Sequence, residues 1–201
     1  NDHCVPDPVA WSGLPAWNDP ENSPWVWGQQ LAHNTEAMLW GALIDKTFAG
    51  RDEVRVAALV MEGSLGTAFE SSFNDYVDGA AVPIGVEVAR IEPTALRRTV
   101  MERIAALAAE DLDVFIAMVG APLCAQVVTG AADNGMNESA ELLILPSGCR
   151  IGSFAGDGAA GDDDSASDGL LTAGGGIKDL TDPLLADDPW VAFAVDLLVD
   201  S

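Results

Sequence analysis

Apolar residues along the chain fall into short continuous runs, and stretches of helical periodicity separate these runs. The continuous runs predict strands at residues 9–12, 54–61, 86–91, 113–119, 142–146 and 170–173. The run at residues 54–61 is apolar at nearly every position, which is typical of a strand buried on both faces of a parallel sheet.

Between these strands, apolar residues recur every three or four positions, as they do on the buried face of a helix. Phe69, Phe73 and Val77 form one such stripe, and further helices are expected at residues 95–109, at 123–134 and from 188 onward. An earlier helix would be capped by Asn34 or Thr35 and would end at Gly50. Alternating strands and helices with short connectors predict an α/β fold with an open, mostly parallel, doubly wound sheet.

In such a sheet, ligands bind outside the carboxyl ends of the strands. The segments that follow predicted strands, residues 62–66, 120–122 and 146–149, are therefore the informative ones. The turn Gly63-Ser64-Leu65-Gly66 is open to two interpretations: backbone N–H groups that meet an anion, or a plain tight turn.

Composition narrows the class of protein. The 201 residues suffice for one large or two small domains, and 49% of them are hydrophobic, as in a globular chain. The net charge of −23 would repel a polyanion, so nucleic-acid binding is not expected. Solubility, in a salty medium for example, is the simpler reading of this acidity.

Chemistry-bearing motifs are not found. The sequence has no G-x-S-x-G elbow and no glycine-rich phosphate loop after a strand. His3 and His33 are the two histidines, and no C-x-x-C pair occurs, so neither a zinc site nor another cofactor is expected. His33 is read as structural, and the acidic stretch at 162–169 as a solvated loop, because it lacks the terminal Glu of a calcium loop. An enzyme is therefore not the expected class.

Several runs, taken in order, resemble the type I periplasmic binding proteins, and specifically the branched-chain amino acid (leucine-type) substrate-binding family of ABC importers. The runs PWVWG (24–28), NTE (34–36) and VAALVMEGSLG (56–66) resemble the family's hinge and its entry to the second lobe. The runs DVFI (113–116), GA (120–121) and ASDGLLT (166–172) resemble later strands and ligand-facing turns.

The resemblance implies two lobes around a cleft, with a chain that crosses between them. Residues 1–35 would be a remnant of the first lobe and the hinge, 36–188 the second lobe, and 189–201 a return crossing. The front of the first lobe and the C-terminal end would lie outside this sequence, and a lipid anchor would lie in that front. The implied role is extracytoplasmic binding of an amino acid or similar small polar solute for the permease subunits of an importer.

The resemblance also implies contacts for the solute. Ser12 and Gly13 would hold its carboxylate, and Asp168 would meet its amine, where the family often has Glu. The remaining contacts would come from the turns that follow the strands, at Ser64, Leu65, Gly120, Ala121 and Ser147.

The cysteines suggest one bridge. Cys124 begins the helix after one predicted strand and Cys149 ends the next strand, so neighbouring strands would bring both to one edge of the sheet. We expect a Cys124–Cys149 disulfide, which leaves Cys4 unpaired within this sequence.

Two other functions stay open at this stage. A sensing domain of the same architecture would signal instead of delivering its ligand. An enzyme of doubly wound fold would need a nucleophile paired with a base, and the sequence shows no such pair.

Overall fold

The computed structural model describes residues 7–10, 12–28, 30–149 and 169–173. In chain order its elements are β1 (Asp7–Ala10), a 3-10 helix (Pro15–Asn18), β2 (Val26–Gly28), α1 (His33–Thr47), β3 (Val54–Met61), α2 (Ser64–Val77), β4 (Ile84–Ile91), α3 (Arg97–Ala108), β5 (Val114–Met118), α4 (Ala121–Asp133), α5 (Met136–Ser139), β6 (Leu142–Leu145) and β7 (Leu170–Thr172).

The main sheet has five parallel strands in the order β4-β3-β5-β6-β7. Strands β1 and β2 form a separate parallel pair, in which Asp7 faces Val26 and Ala10 faces Gly28. The predicted α/β class with an open, doubly wound, parallel sheet is confirmed.

Helices cover both faces of this sheet, so the central strands are buried on both sides. Ala57 and Leu59 of β3 belong to one cluster, with Val100 and Ile104 of α3 and Val127 of α4. This is the α3–α4 cluster. The opposite pleat of β3 belongs to the α1–α2 cluster, which contains Val56, Ala58, Val60, Ile44, Phe69 and Phe73.

Strand β3 has the predicted bounds, and β4 to β7 differ from expectation by one or two residues at their ends. The predicted strand at 9–12 is wrong in position, because the described strand is Asp7–Ala10. Strand β2, the 3-10 helix and α5 were not anticipated. The predicted helix from residue 188 lies outside the described residues.

Helix α1 also corrects an expectation, because it begins at His33 after the cap residue Ala32 and makes no side-chain cap hydrogen bond. Asn34 and Thr35 are thus helical residues, not caps. The cause lies in another segment: the His33 amide donates to the carbonyl oxygen of Gly13 at 2.8 Å. The Gly13 carbonyl thus satisfies one of the first N–H groups of the helix, which have no partner within the helix itself.

None of the helices in the described ranges combines the length and the apolar character needed to cross a membrane.

Candidate functional site

Chain order and strand order together mark one point at the carboxyl edge of the sheet. After β3 the chain runs through α2 to β4 on one side, and after β5 it runs through α4 to β6 on the other. Adjacent strands whose connections leave in opposite directions form a topological switch point, where a crevice opens between the two loops. The loops here are residues 62–63 and 119–120.

The loop after β3 bends at Gly63, whose φ of 105° lies in the region that favours glycine. Helix α2 starts immediately afterwards, and Gly66 packs tightly on β3: a Cβ there would lie 2.2 Å from the Met61 carbonyl oxygen. Ser64 is exposed, whereas Leu65 is half-buried and packs against the α1–α2 cluster. The loop therefore offers a hydroxyl and helix N-terminal amides instead of a large side chain.

The loop after β5 is equally bare. Gly120 precedes α4 with no side-chain cap, and Ala121 is exposed in the first turn. A Cβ at Gly120 would lie 3.4 Å from Cε of Met61 and 3.5 Å from its Sδ. The thioether of Met61 therefore lies beside the Gly120 backbone, and it joins the two loops of the switch point.

The loop after β6 is held from three directions. The Ser147 amide donates to Glu36 Oε1 at 2.5 Å, and Thr172 Oγ1 of β7 donates to the Pro146 carbonyl at 3.1 Å. Cys149 forms a disulfide with Cys124 of α4, and their Cα atoms are 5.6 Å apart. The structure thus contains the expected disulfide, at the carboxyl edge of the sheet.

Within the described part of the chain, the buried hydroxyl oxygen of Ser147 has no hydrogen-bond partner. Such a group costs free energy unless a ligand or water satisfies it. The Ser147 hydroxyl is therefore a candidate to bind a ligand or a water molecule.

The segment at residues 12–14 reaches the start of α1. Ser12 Oγ accepts a hydrogen bond from the Leu14 amide at 3.3 Å, so one of the hydrogen-bonding positions of this hydroxyl is already occupied by a neighbouring residue. Gly13 is buried, and a Cβ there would come within 2.5 Å of His33 Cε1. Only glycine allows the backbone to lie this close to the imidazole.

His33 and Glu36 form a buried pair, with His33 Nδ1 3.1 Å from Glu36 Oε2. From the sequence, His33 was interpreted as structural and Glu36 only as part of the run NTE (34–36) that resembles the family's hinge, so the pair was not predicted. The spacing of three residues on a helix was the available signal. The hydrogen bond between Glu36 and the Ser147 amide joins residues 111 positions apart, so no local sequence pattern predicts it.

The structure brings the loops that carry Ser64, Gly120, Ala121 and Ser147 to one edge of the sheet, since they follow neighbouring parallel strands. Gly13 is connected to the loop after β6 through the His33–Glu36 pair, whereas the described contact of Ser12 is the local one with Leu14. Asp168 lies outside the described residues, so its expected role stays a prediction.

A groove with a volume of about 370 Å³ lies on the β4 side of the loop after β3. Its floor includes an ion pair in which Arg90 Nη2 is 2.5 Å from Glu70 Oε2. Its lining consists of Met61, Glu62, Gly63, Gly66, Thr67, Glu70, Ser71, Asn74 and Arg90. In the described ranges, no group of three or more His, Cys, Asp or Glu residues is placed to hold a metal ion.

No protein-family model matches the chain, and no curated protein sequence matches it. Solved structures do match. An extracellular ligand-binding receptor from Verminephrobacter eiseniae ef01-2 aligns with 92% of this chain and 48% of its own, at 11% identity and a TM-score of 0.70. A fatty acid ABC transporter substrate-binding protein from Thermomonospora curvata aligns with 88% of this chain and 41% of its own, at 13% identity and a TM-score of 0.63.

The chain spans about half the length of these structures or less. At such identities the likeness concerns the fold. The five-stranded parallel sheet with its flanking helices has the fold of a lobe of the type I periplasmic binding proteins.

Proposed function

We propose that the chain belongs to an extracytoplasmic solute-binding protein that delivers a small polar solute, an amino acid in the first instance, to an ABC importer. One observation carries the proposal: a topological switch point lies between β3 and β5, and the loops that follow these strands present the backbone of Gly63 and Gly120. A site built from loops at the carboxyl edge of a rigid sheet is suited to binding.

The chemistry of this edge favours a solute with a carboxylate. The uncapped N-termini of α2 and α4 both lie here, and helix N-termini attract anions through their free N–H groups and the helix dipole. Asp168 is the proposed partner of an ammonium group, which would complete the recognition of an amino acid. Leucine-type specificity stays part of this proposal.

The solved structure from Thermomonospora curvata bears the description of a fatty acid binder. A fatty acid shares the carboxylate but lacks the ammonium group. It therefore serves as the discriminating competitor: a requirement for both charged groups favours an amino acid.

Residues 36–188 are proposed as the second lobe, 1–35 as first lobe and hinge, and 189–201 as the return crossing. Ligand would favour the closed arrangement of the lobes, and the closed form would engage the permease. A buried disulfide between Cys124 and Cys149 fits an oxidising compartment outside the cytoplasm. The lipid anchor is a further part of this proposal.

The arrangement supports binding in preference to catalysis. The imidazole of His33 is buried, lies against Gly13 and is bonded to Glu36, so it is engaged in packing and pairing. A general base must instead reach the proton that it removes.

A sensing role is the second candidate, and the description of the Verminephrobacter eiseniae ef01-2 structure as a receptor favours it. Sensing and transport share the binding step. Fusion to, or complex formation with, a membrane signalling protein would distinguish sensing, whereas solute uptake that depends on the protein would distinguish transport.

The test is a thermal-shift screen of the protein as its gene encodes it, against the L-amino acids, their amides and medium-chain fatty acids. A ligand at about 100 times its Kd stabilises the folded state by about 2.7 kcal/mol, so one amino acid should raise the unfolding midpoint by several degrees. The same mixtures are analysed for product after incubation. No shift with any compound, together with turnover of one of them, would overturn the proposal.

A further inference from the structure

We infer that His33 and Glu36 form a link that makes the position of the loop after β6 depend on the position of the segment at residues 12–14. The inference rests on the proposed function in one respect, namely that these two segments face the same solute. It gives Glu36 a role as a positioning residue for Ser147.

The first contact of the link joins Gly13 to His33. The Gly13 carbonyl accepts the His33 amide at 2.8 Å, and the imidazole lies where a Cβ of residue 13 would be, at 2.5 Å. A close-packed contact with no spare volume transmits displacement, because neither group can move towards the other. Movement of Gly13 towards α1 must therefore move the imidazole.

The second contact joins Glu36 to both ends. Its side chain is completely buried; Oε2 pairs with His33 Nδ1 at 3.1 Å and Oε1 accepts the Ser147 amide at 2.5 Å. Each carboxylate oxygen has its own partner. A buried carboxylate that loses one of its partners costs the fold free energy. Glu36 should therefore move with His33 when His33 is displaced, and Ser147 should move with Glu36.

The third step concerns what Ser147 carries. Its amide is used by Glu36, and its hydroxyl is buried without a partner in the described residues. Thr172 and the disulfide tie the neighbouring residues Pro146 and Cys149 to β7 and α4. Glu36 holds Ser147 itself, through its amide, and this contact therefore sets where the hydroxyl meets a solute.

Amide hydrogen exchange at Ser147 tests the link without any solute, in the whole chain and in four variants: Gly13→Ala, Glu36→Ala, Glu36→Gln and the double variant Gly13→Ala/Glu36→Ala. Gly13→Ala, which crowds His33, should speed exchange at Ser147 by about tenfold, although Gly13 is not bonded to Ser147. Glu36→Ala should do the same, and the double variant should show no further increase, because the link is already cut.

Glu36→Gln keeps one oxygen for the Ser147 amide and one polar group for His33, so it should restore slow exchange. The control is Gly79→Ala, where a Cβ would make only an ordinary van der Waals contact, 3.7 Å from the Tyr76 carbonyl oxygen. The amide of Ile116 in the central strand β5 serves as the reference for global unfolding. In each variant, exchange at Ile116 should increase by less than exchange at Ser147, because loss of the link opens the loop after β6 more than it destabilises the whole fold.

Additive effects of Gly13→Ala and Glu36→Ala would overturn the link, as would equal increases at Ser147 and Ile116, since these indicate global loss of stability. If Glu36→Ala does not fold, His33→Ala replaces it, because removal of the imidazole cuts the same link without crowding. A failed solute screen would sink the proposed function alone, because exchange is measured without ligand.

Discussion

The Met61 side chain lies directly beside the backbone of Gly120, with Cε 3.4 Å from the position that a Cβ would take. Met61 is the last residue of β3 and Gly120 lies in the loop after β5, and the connections after these two strands leave in opposite directions. This contact marks the floor of the crevice in which we place the solute. It also shows why glycine matters at position 120: a side chain there would meet the Met61 thioether and take up space at the switch point where we place the solute.

Gly120→Leu should therefore abolish solute binding while it leaves the fold intact. The φ of Gly120 is −75°, which leucine adopts without strain, so the cost in unfolding free energy should be below about 1 kcal/mol. Calorimetric titration with the amino acid that shifts the wild type most gives the affinity, which should fall by at least about 100-fold.

Gly79→Leu is the matched control, since Gly79 lies beyond the far end of α2 and has room for a side chain. Unchanged affinity in Gly120→Leu, or an equal loss in Gly79→Leu, would place the solute elsewhere.

The disulfide gives a prediction for stability. Cys124 and Cys149 close a loop across 25 positions, and such a cross-link stabilises a protein by about 3 kcal/mol, mainly by restricting the unfolded chain. In a Cys4→Ser background, the double variant Cys124→Ala/Cys149→Ala should lose about this amount in urea unfolding. Both sulfurs are buried, so mild reductant should act only after the protein opens.

Mass mapping under non-reducing conditions checks the pairing itself. The two half-cystines should appear in one linked peptide, and free thiols at both positions in the folded protein would contradict the structure.

The single tyrosine of the chain offers a clean pH measurement. Burial raises the pKa of Tyr76, and the nearby Asp45 carboxylate adds to this, through its charge and a hydrogen bond of 3.5 Å from the phenol. Absorbance at the tyrosinate band should therefore give a midpoint above the value of about 10 seen in unfolded chains. Urea should bring the midpoint back to about 10.

The sign for stability follows from this shift. Because the folded-state pKa is the higher one, the contribution of Tyr76 is present below the unfolded pKa and is lost as the pH rises through the folded one. Asp45→Asn should lower the midpoint only in part, since burial remains. A midpoint equal in folded and unfolded protein would contradict the partly buried position of Tyr76 beside Asp45.

Net charge sets the response to salt. With −23 charges, repulsion among carboxylates opposes the compact state, and screening weakens it. The unfolding midpoint should rise by about 5 °C or more between 10 mM and 1 M NaCl, and KCl should act equally. A falling midpoint would mean that exposed ion pairs such as Arg90–Glu70 outweigh the repulsion.

The sequence allowed β3 to be placed at its true bounds because a strand buried on both faces is apolar at nearly every position. Phe69 and Phe73 likewise marked the buried face of α2, and their rings stack at 5.2 Å. Such local periodicity carries most of the fold, including the order of strands and helices. The two cysteines followed from the same order, because neighbouring parallel strands share an edge.

The candidate site was less accessible from the sequence. The loops with Gly63, Gly120 and Ser147 could be found, since they follow strands. The Glu36–Ser147 contact could not, because it is a hydrogen bond between residues far apart in the chain. The start of α1 was misplaced for the same reason: its first amide is satisfied by the distant Gly13 carbonyl.

The most direct measurement is chemical-shift mapping of the backbone amides during titration with the best-binding amino acid. The account predicts that the perturbed amides cluster at the carboxyl edge, at Ser64 and Leu65, at Gly120 and Ala121, and at Ser147. Amides at the opposite edge, such as Arg55 and Asp113, should stay unchanged. Perturbation confined to that opposite edge, or spread evenly over the sheet, would contradict a solute site at the switch point.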